Sequence, residues 1–355
     1  MTLVLADKDY LGAYVHHRGG EAHQGEHWLL AAELGPITAS LSERLIEGRQ
    51  QGARYVLLGI PEDIGPRANL GRGGAEQGWG AFLAQFANLQ ANELLGGEQL
   101  LLLGHIDTTE LLEQSQFLDP ADPEQLQALR EHTADLDQRV MPVIETIVDA
   151  GLEPIVIGGG HNNAFPILMG CSQALDSPMA AVNLDPHSDF RAPEGRHSGN
   201  GFAYAHEQGA LGYYHVLGLH EQKNNQASLI ALRQSGKHWT SLQQLWVRRE
   251  RPLHQVLEQI DNDVSASTLP LGIEVDLDAI AALASSAETV AGIPLMDALH
   301  IVYALARHPA CRYLHLAEGA PECHPAGLVA GRRQIGQALS ELVLSYLNGR
   351  QRTPQ

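Results

Sequence analysis

Asn183-Leu184-Asp185-Pro186-His187-Ser188-Asp189 sets two carboxylates and an imidazole at alternate positions directly after the apolar run 179–184. In an extended chain, side chains two residues apart point to one side, so Asp185, His187 and Asp189 can converge. Burying two carboxylates together costs on the order of several kcal/mol unless a cation neutralises them. A metal ion is the simplest neutraliser. The plainer alternative is an exposed polar turn with one capping Asp.

Three further segments repeat the pattern of an apolar run ending in polar residues. Gly158-Gly159-Gly160-His161-Asn162-Asn163 follows Ile155-Val156-Ile157, and its glycines permit the sharp turn that would bring His161 to the same rim. Leu271-Gly272-Ile273-Glu274-Val275-Asp276-Leu277-Asp278 alternates three carboxylates with apolar residues. Acids are rare on buried strand faces without a partner, so this segment is either a second source of metal ligands or a solvated edge strand. Leu314-His315-Leu316-Ala317-Glu318-Gly319 ends another apolar run on Glu318. Each segment alone has an ordinary structural explanation. Four strand ends together supplying His, Asp-x-His-x-Asp, spaced acids and Glu point to one site.

Apolar runs at 55–60, 100–103, 154–157, 179–184, 214–219, 269–275 and 313–317 alternate with helix-like stretches at 123–150, 227–235 and 294–307. That alternation predicts a single large α/β domain, a mainly parallel sheet flanked by helices in three α/β/α layers. Open parallel sheets bind ligands beyond the carboxyl ends of their strands, where these polar residues fall. The catalytic domain is expected over 51–348, after an N-terminal segment, 1–50, of unclear role and before a frayed tail, 349–355.

Composition narrows the function. Apolar residues at 44% and charged residues at 18% suit a globular protein, and the formal charge of −19 argues against a nucleic-acid binder, which needs clustered Lys and Arg. No run approaches the length needed to span a bilayer, and the N-terminus lacks a basic signal-peptide start, so a cytoplasmic protein without membrane contact is expected. The three cysteines, Cys171, Cys311 and Cys323, are too few and irregular for a disulfide framework or a thiolate zinc site.

Over roughly residues 50–345 the sequence resembles the arginase, or ureohydrolase, family. Gly158-Gly159-Gly160-His161 matches the family's Gly-Gly-x-His element, Asp185, His187 and Asp189 its Asp-x-His-x-Asp element, and Glu274 with Asp276 its paired strand acids. The loop from Gly59 to Ala75 resembles its N-terminal Gly-Arg-rich loop. The resemblance implies two Mn²⁺ per chain, one held by His161, Asp185, Asp189 and Glu274, the other by His187, Asp185, Glu274 and Asp276. A carboxylate-rich set with two imidazoles and no thiolate suits such a hard ion. The family usually reads Asp-x-Asp here, so Asp276 with Asp278 is the alternative register. The resemblance also implies a catalytic role for Asp189 and a substrate-facing, catalytic Glu318 that meets the cationic N–C–N group. Family members commonly form trimers or hexamers, which makes a homo-oligomer possible.

The loop after the metal motif, 190–202, bears on substrate choice. Arginases place Asn two residues beyond the last Asp and follow Ser-Gly-Asn with Leu-His; this chain has Arg191 and Gly201-Phe202. These features resemble the formimidoylglutamase branch, which splits N-formimidoyl-L-glutamate into L-glutamate and formamide. Arg191 would pair with a substrate carboxylate, with His197, Ser198 and Asn200 as further candidate substrate contacts and Arg196 expected at the surface. Alternatives are another ureohydrolase acting on a guanidino acid, agmatine or arginine, and a non-catalytic binding protein of the same fold. The Gly triplet also suggests a nucleotide-binding protein, but the chain lacks both G-x-G-x-x-G and the P-loop Lys.

Overall fold

The computed structural model describes residues 3–351. Its strands, in chain order, are β1 (Leu3–Leu5), β2 (Leu29–Leu30), β3 (Tyr55–Gly59), β4 (Leu100–Ile106), β5 (Glu153–Ile157), β6 (Met179–Leu184), β7 (Leu211–Leu219), β8 (His238–Ser241), β9 (Leu271–Asp276) and β10 (Cys311–Ala317). They form one sheet in the order β1-β4-β3-β5-β10-β9-β6-β7-β8, with β2 also on β4. All pairings are parallel except β1 with β4.

Strand alternation splits the core in two. Tyr55, Leu57, Ile155, Ile157, Val182 and Ile273 pack to one face, whereas Val56, Leu58, Val156, Ala181 and Val216 pack to the other. Both faces are covered by helices, which produces the expected three layers. The longest, Pro123–Asp149, starts with Pro at its first position and the Asp122 carboxylate accepting from the backbone N–H groups of Glu124 and Gln125.

Three strands escaped the periodicity reading. β1 and β2 are too short to show a pattern, yet both pair with β4, which makes part of 1–50 a sheet edge rather than an appendage. β8 is a short edge strand reading His-Trp-Thr-Ser. At the other end, the helix Leu328–Gln351 continues through Gly349, where fraying was expected. The reason is Arg350, whose guanidinium donates to both Glu153 carboxylate oxygens at 2.9 and 2.7 Å and anchors the last turn to β5. Residues 352–355 of the expected tail, with Met1 and Thr2, lie outside the described residues. Among the described residues no helix is long and apolar enough to cross a membrane.

The order of the sheet positions the site. β5, β10, β9 and β6 lie side by side at its centre, and they are the strands whose ends carry His161, Glu318, the Glu274–Asp278 segment and Asp185.

Candidate metal centre and active site

Local geometry brings each polar residue to that central rim. After β5 the chain turns through Gly158 and Gly159, both at positive φ (88° and 70°). A Cβ at Gly159 would stand 2.5 Å from Asn163 Nδ2 and 2.7 Å from Glu62 Oε1, so only glycine fits. The buried Glu62 holds this turn by accepting from the N–H of Gly160 at 2.6 Å, the N–H of Gly65 at 3.1 Å and Asn163 Nδ2 at 2.7 Å. The Gly-Arg-rich loop thus braces the His161 turn. Farther along it, Arg72 donates to the carbonyls of Ser286 and Ser285 and fixes the loop that carries Ser286.

His161 is fully buried, and its Nδ1 lies 3.1 Å from Asp185 Oδ2, 2.9 Å from Asp189 Oδ2 and 3.6 Å from Asp276 Oδ2. Despite that proximity, neither ring nitrogen makes a hydrogen bond of acceptable geometry. A buried imidazole nitrogen facing three carboxylate oxygens without bonding any is the arrangement that a shared cation would satisfy. His187, at the open side, has Nδ1 3.5 Å from Asp185 Oδ1 and 4.0 Å from Asp278 Oδ2. Three sets of candidate ligand atoms cluster within 4.8 Å: His161, Asp185, Asp189 and Asp276; His187, Asp276 and Asp278; and His161, Glu274 and His315.

Backbone and side chains preset the acids. Asp185 accepts from Asn183 Nδ2 at 2.9 Å and from the His187 N–H at 2.6 Å. Asp276 accepts from the Asp278 N–H at 2.7 Å, and Asp278 from the Ala287 N–H at 2.9 Å. Asp189 and Glu318 both sit at positive φ, 43° and 66°, a conformation that non-glycine residues hold only where the surroundings enforce it and that clusters at functional sites. Glu318 Oε1 accepts the His161 N–H at 2.7 Å, while its buried Oε2 has no partner.

The electrostatics record how closely the acids are crowded. Burial and the neighbouring Asp278 and Asp185 push the Asp276 carboxyl well above the carboxylate range. Burial and Asp185 raise Asp189 to about 6, and burial and Asp278 raise Glu318 to about 8. For His161 burial pulls the pKa down but is outweighed by Asp185, Asp189, Asp276 and Glu274, which raise it well above the usual value. His187 likewise rises to about 10, against its burial, because of Asp185.

Asp189, Asp276, Asp278, His187 and Glu318 line a cavity of about 310 Å³ whose exposed side carries Arg191 and Lys223. Ser198 lines it too, and Arg191 is steadied by Asn69 Oδ1 at 2.9 Å and Glu194 Oε1 at 3.2 Å. Glu274 does not line the cavity. Two residues deeper on β9 than Asp276, its carboxylate accepts from Tyr313 Oη at 2.7 Å and bonds His315 Nδ1 at 2.6 Å.

His197 and Asn200, expected to contact substrate, are buried beside the cavity rather than in it. The His197 Nδ1 accepts the Gly199 N–H at 3.1 Å, and Asn200 Nδ2 donates to the Gly195 carbonyl at 2.7 Å. Both brace the loop that presents Ser198. Arg196, expected at the surface, is buried as well, because Asp137 and the rings of Phe165 and Tyr204 surround it. Lys223 went unnoticed in the sequence, although it follows the apolar run 214–219 as the other site residues follow theirs. His315 and Tyr313 carried no signal because they lie within a strand. Cys171 and Cys311 are buried in the core, and Cys323 is half-buried outside the cavity lining.

Comparison with known proteins agrees with this architecture. The sequence model of the Arginase family matches residues 53–339. Formimidoylglutamases of Streptococcus pyogenes serotypes M3 and M4 are 30% identical over 185 residues, which is 49% of this chain and 49% of theirs. The match therefore spans about half the length of these curated relatives. Among solved structures, formimidoylglutamase from Bacillus subtilis superimposes with a TM-score of 0.74 at 17% identity, covering 96% of each chain. Formiminoglutamase from Trypanosoma cruzi, solved with Mn²⁺, gives 0.69 at 17% identity, covering 94% of this chain and all (100%) of that one. With a family match across most of its length and the four strand ends gathered at one rim, the chain belongs to the arginase family.

Proposed function

We propose that this protein is a dinuclear-manganese hydrolase of a linear amidine, N-formimidoyl-L-glutamate, releasing L-glutamate and formamide. One observation carries the reading: a single cavity has an acid-rich wall able to hold two divalent ions and, at its mouth, the cations Arg191 and Lys223. The relatives named formimidoylglutamase, and the Mn²⁺ in the Trypanosoma cruzi structure, support it.

The donor set fits the ions. We assign His161, Asp185, Asp189 and Asp276 to one and His187, Asp185, Asp276 and Asp278 to the other, exchanging Glu274 for the alternative register because the Glu274 carboxylate is engaged by Tyr313 and His315. When bound, two such ions supply an activated water at neutral pH.

The chain's own residues do the rest. Glu318 Oε2 accepts an N–H of the amidinium and turns its carbon toward the acidic rim. Arg191 and Lys223 pair with the carboxylates at the other end of the substrate, a role suited to a dicarboxylate and opposed to agmatine. Water oxygen adds to the amidine carbon, and the bond from that carbon to the glutamate nitrogen breaks. Asp189, at the edge of the acidic wall inside the cavity, is placed to take the proton that the attacking water gives up and pass it to the departing nitrogen.

The test is a substrate panel of N-formimidoyl-L-glutamate, arginine, agmatine and guanidino acids, read by formamide, urea and amine release with manganese supplied. Formamide release as the fastest reaction supports the proposal. Urea from arginine or agmatine as the fastest would move the chain to another ureohydrolase activity.

A further inference from the structure

We propose that Glu274 is a positioning residue, whose charge beside Nε2 keeps the His161 proton on that nitrogen and leaves a bare Nδ1 facing the acidic rim. This rests on the reading that the rim binds divalent ions.

A polar row crosses the sheet one step beneath the candidate ligands. β9 aligns Glu274 with His315 of β10 and with Asn183 of β6. Asn183 lies two residues below Asp185 and donates to it at 2.9 Å; Glu274 lies two residues below Asp276. Glu274, His315 and Asn183 are all fully buried.

Within that row Glu274 is hydrogen-bonded by Tyr313 Oη at 2.7 Å and His315 Nδ1 at 2.6 Å, and His161 Nε2 stands 3.4 Å away, near but outside hydrogen-bond geometry. The ionised carboxylate accepts from the first two, and an N–H on the third favours its charge through space. The last contact decides the chemistry. A neutral imidazole carries one proton; when the proton sits on Nε2 opposite a carboxylate, the lone pair is left on Nδ1, which is the atom beside Asp185, Asp189 and Asp276. The reverse tautomer would set two lone-pair bearers, Nε2 and the Glu274 oxygen, against each other in a fully buried space.

Glu274 could instead be a metal ligand, since it groups with His161 and His315. The 2.6 Å contact between His315 Nδ1 and Glu274 Oε2 opposes this, because it is a hydrogen-bond length that leaves no room for an ion between them. The role does not require the substrate to be an amidine; it requires only the ions.

Manganese titration of the full chain, followed by the electron paramagnetic resonance of free Mn²⁺, tests the inference in wild type, E274Q, E274D and D278N. We expect two ions per chain in wild type, and two in E274Q with one bound about 10- to 100-fold more weakly. E274D keeps the buried charge but draws back from His161, so it should show the same loss and settles the matter if E274Q does not fold. D278N should lose one ion. In zinc-loaded protein the ring ¹⁵N spectrum should show the His161 Nε2–H in wild type and in E274Q alike, but its proton should exchange with water faster in E274Q, where the charged neighbour is gone; exchange at the other buried rings, such as that of His215, should not change, as it would if the fold had merely loosened. Wild-type affinity and an unchanged His161 Nε2–H exchange rate in both Glu274 variants would overturn the positioning role. One ion in E274Q with two in D278N would make Glu274 a ligand and overturn it equally. Wild type binding no manganese would overturn the metal reading itself, and the inference with it.

Discussion

Glu318 Oε1 accepts the backbone N–H of His161 at 2.7 Å, so the acid at the end of β10 is fixed to the turn at the end of β5. This bond presets the direction of the second oxygen, Oε2, which is buried without a partner beside the cavity that the acid helps to line. Such an acceptor is stable only if a cation or donor arrives to meet it.

Glu318→Gln keeps the shape and the amide can still accept the His161 N–H, but the charge opposite the amidinium is lost. We expect kcat/KM for N-formimidoyl-L-glutamate to fall on the order of 100- to 1,000-fold, with two manganese ions still bound. Steady-state kinetics with elemental analysis of the same preparation checks this. Unaltered kinetics would remove Glu318 from the substrate's path.

Arg191→Gln and Lys223→Gln test the mouth. Each should raise KM for the dicarboxylate about two- to fivefold, since an exposed charge pair contributes only modestly. Turnover of an amidine without carboxylates should change little, and equal losses on both substrates would show that the loop had shifted instead.

The buried ion pair behind the loop is a stability prediction. Arg196 donates to Asp137 Oδ2 at 2.7 Å, to Asn200 Oδ1 at 2.7 Å and to the Asn162 carbonyl at 2.8 Å, between the rings of Phe165 and Tyr204. It thus ties the His161 turn to the loop carrying Ser198. Asp137→Ala leaves an uncompensated buried guanidinium and should cost about 3–5 kcal/mol in chemical denaturation. A loss below about 1 kcal/mol would mean that solvent reaches Arg196.

These residues also mark what the sequence could and could not disclose. Strand ends were legible because apolar runs stop where polar residues begin, and parallel sheets put those ends at one rim. The same rule applied after β7 would have found Lys223. Register at the end of β9 was not legible, because Glu274 and Asp276 share one face of the strand and Asp278 follows in the turn Leu277–Ala279, so alternation alone does not say where the strand stops; the choice depends on Tyr313 and His315 across the sheet. The burial of Arg196 was hidden for the same reason, since Asp137 is 59 residues away in the chain. β1 and β2 are too short for periodicity, and only pairing with β4 defines them.

Metal binding should be linked to pH through the rim itself. In the metal-free protein burial works against the charged His187, but Asp185 holds it up to about 10, and burial with Asp185 raises Asp189 to about 6. Both folded values exceed the unfolded ones, so each group's stabilising contribution is full below its unfolded pKa and fades as pH rises through the folded one. For Asp189 the loss falls between about 4 and 6, and for His187 between about 6.5 and 10. The metal-free fold therefore loses stability from this rim between pH 6 and pH 8. Ions bind the deprotonated ligands, so their affinity rises over the same interval. Both follow from the same proton release, so the rise in melting temperature on adding manganese should be larger at pH 8 than at pH 6. Differential scanning fluorimetry at the two pH values, with chelator and with manganese, measures it. A shift that is equal at both, or larger at pH 6, would show that protons and ions do not compete for these residues.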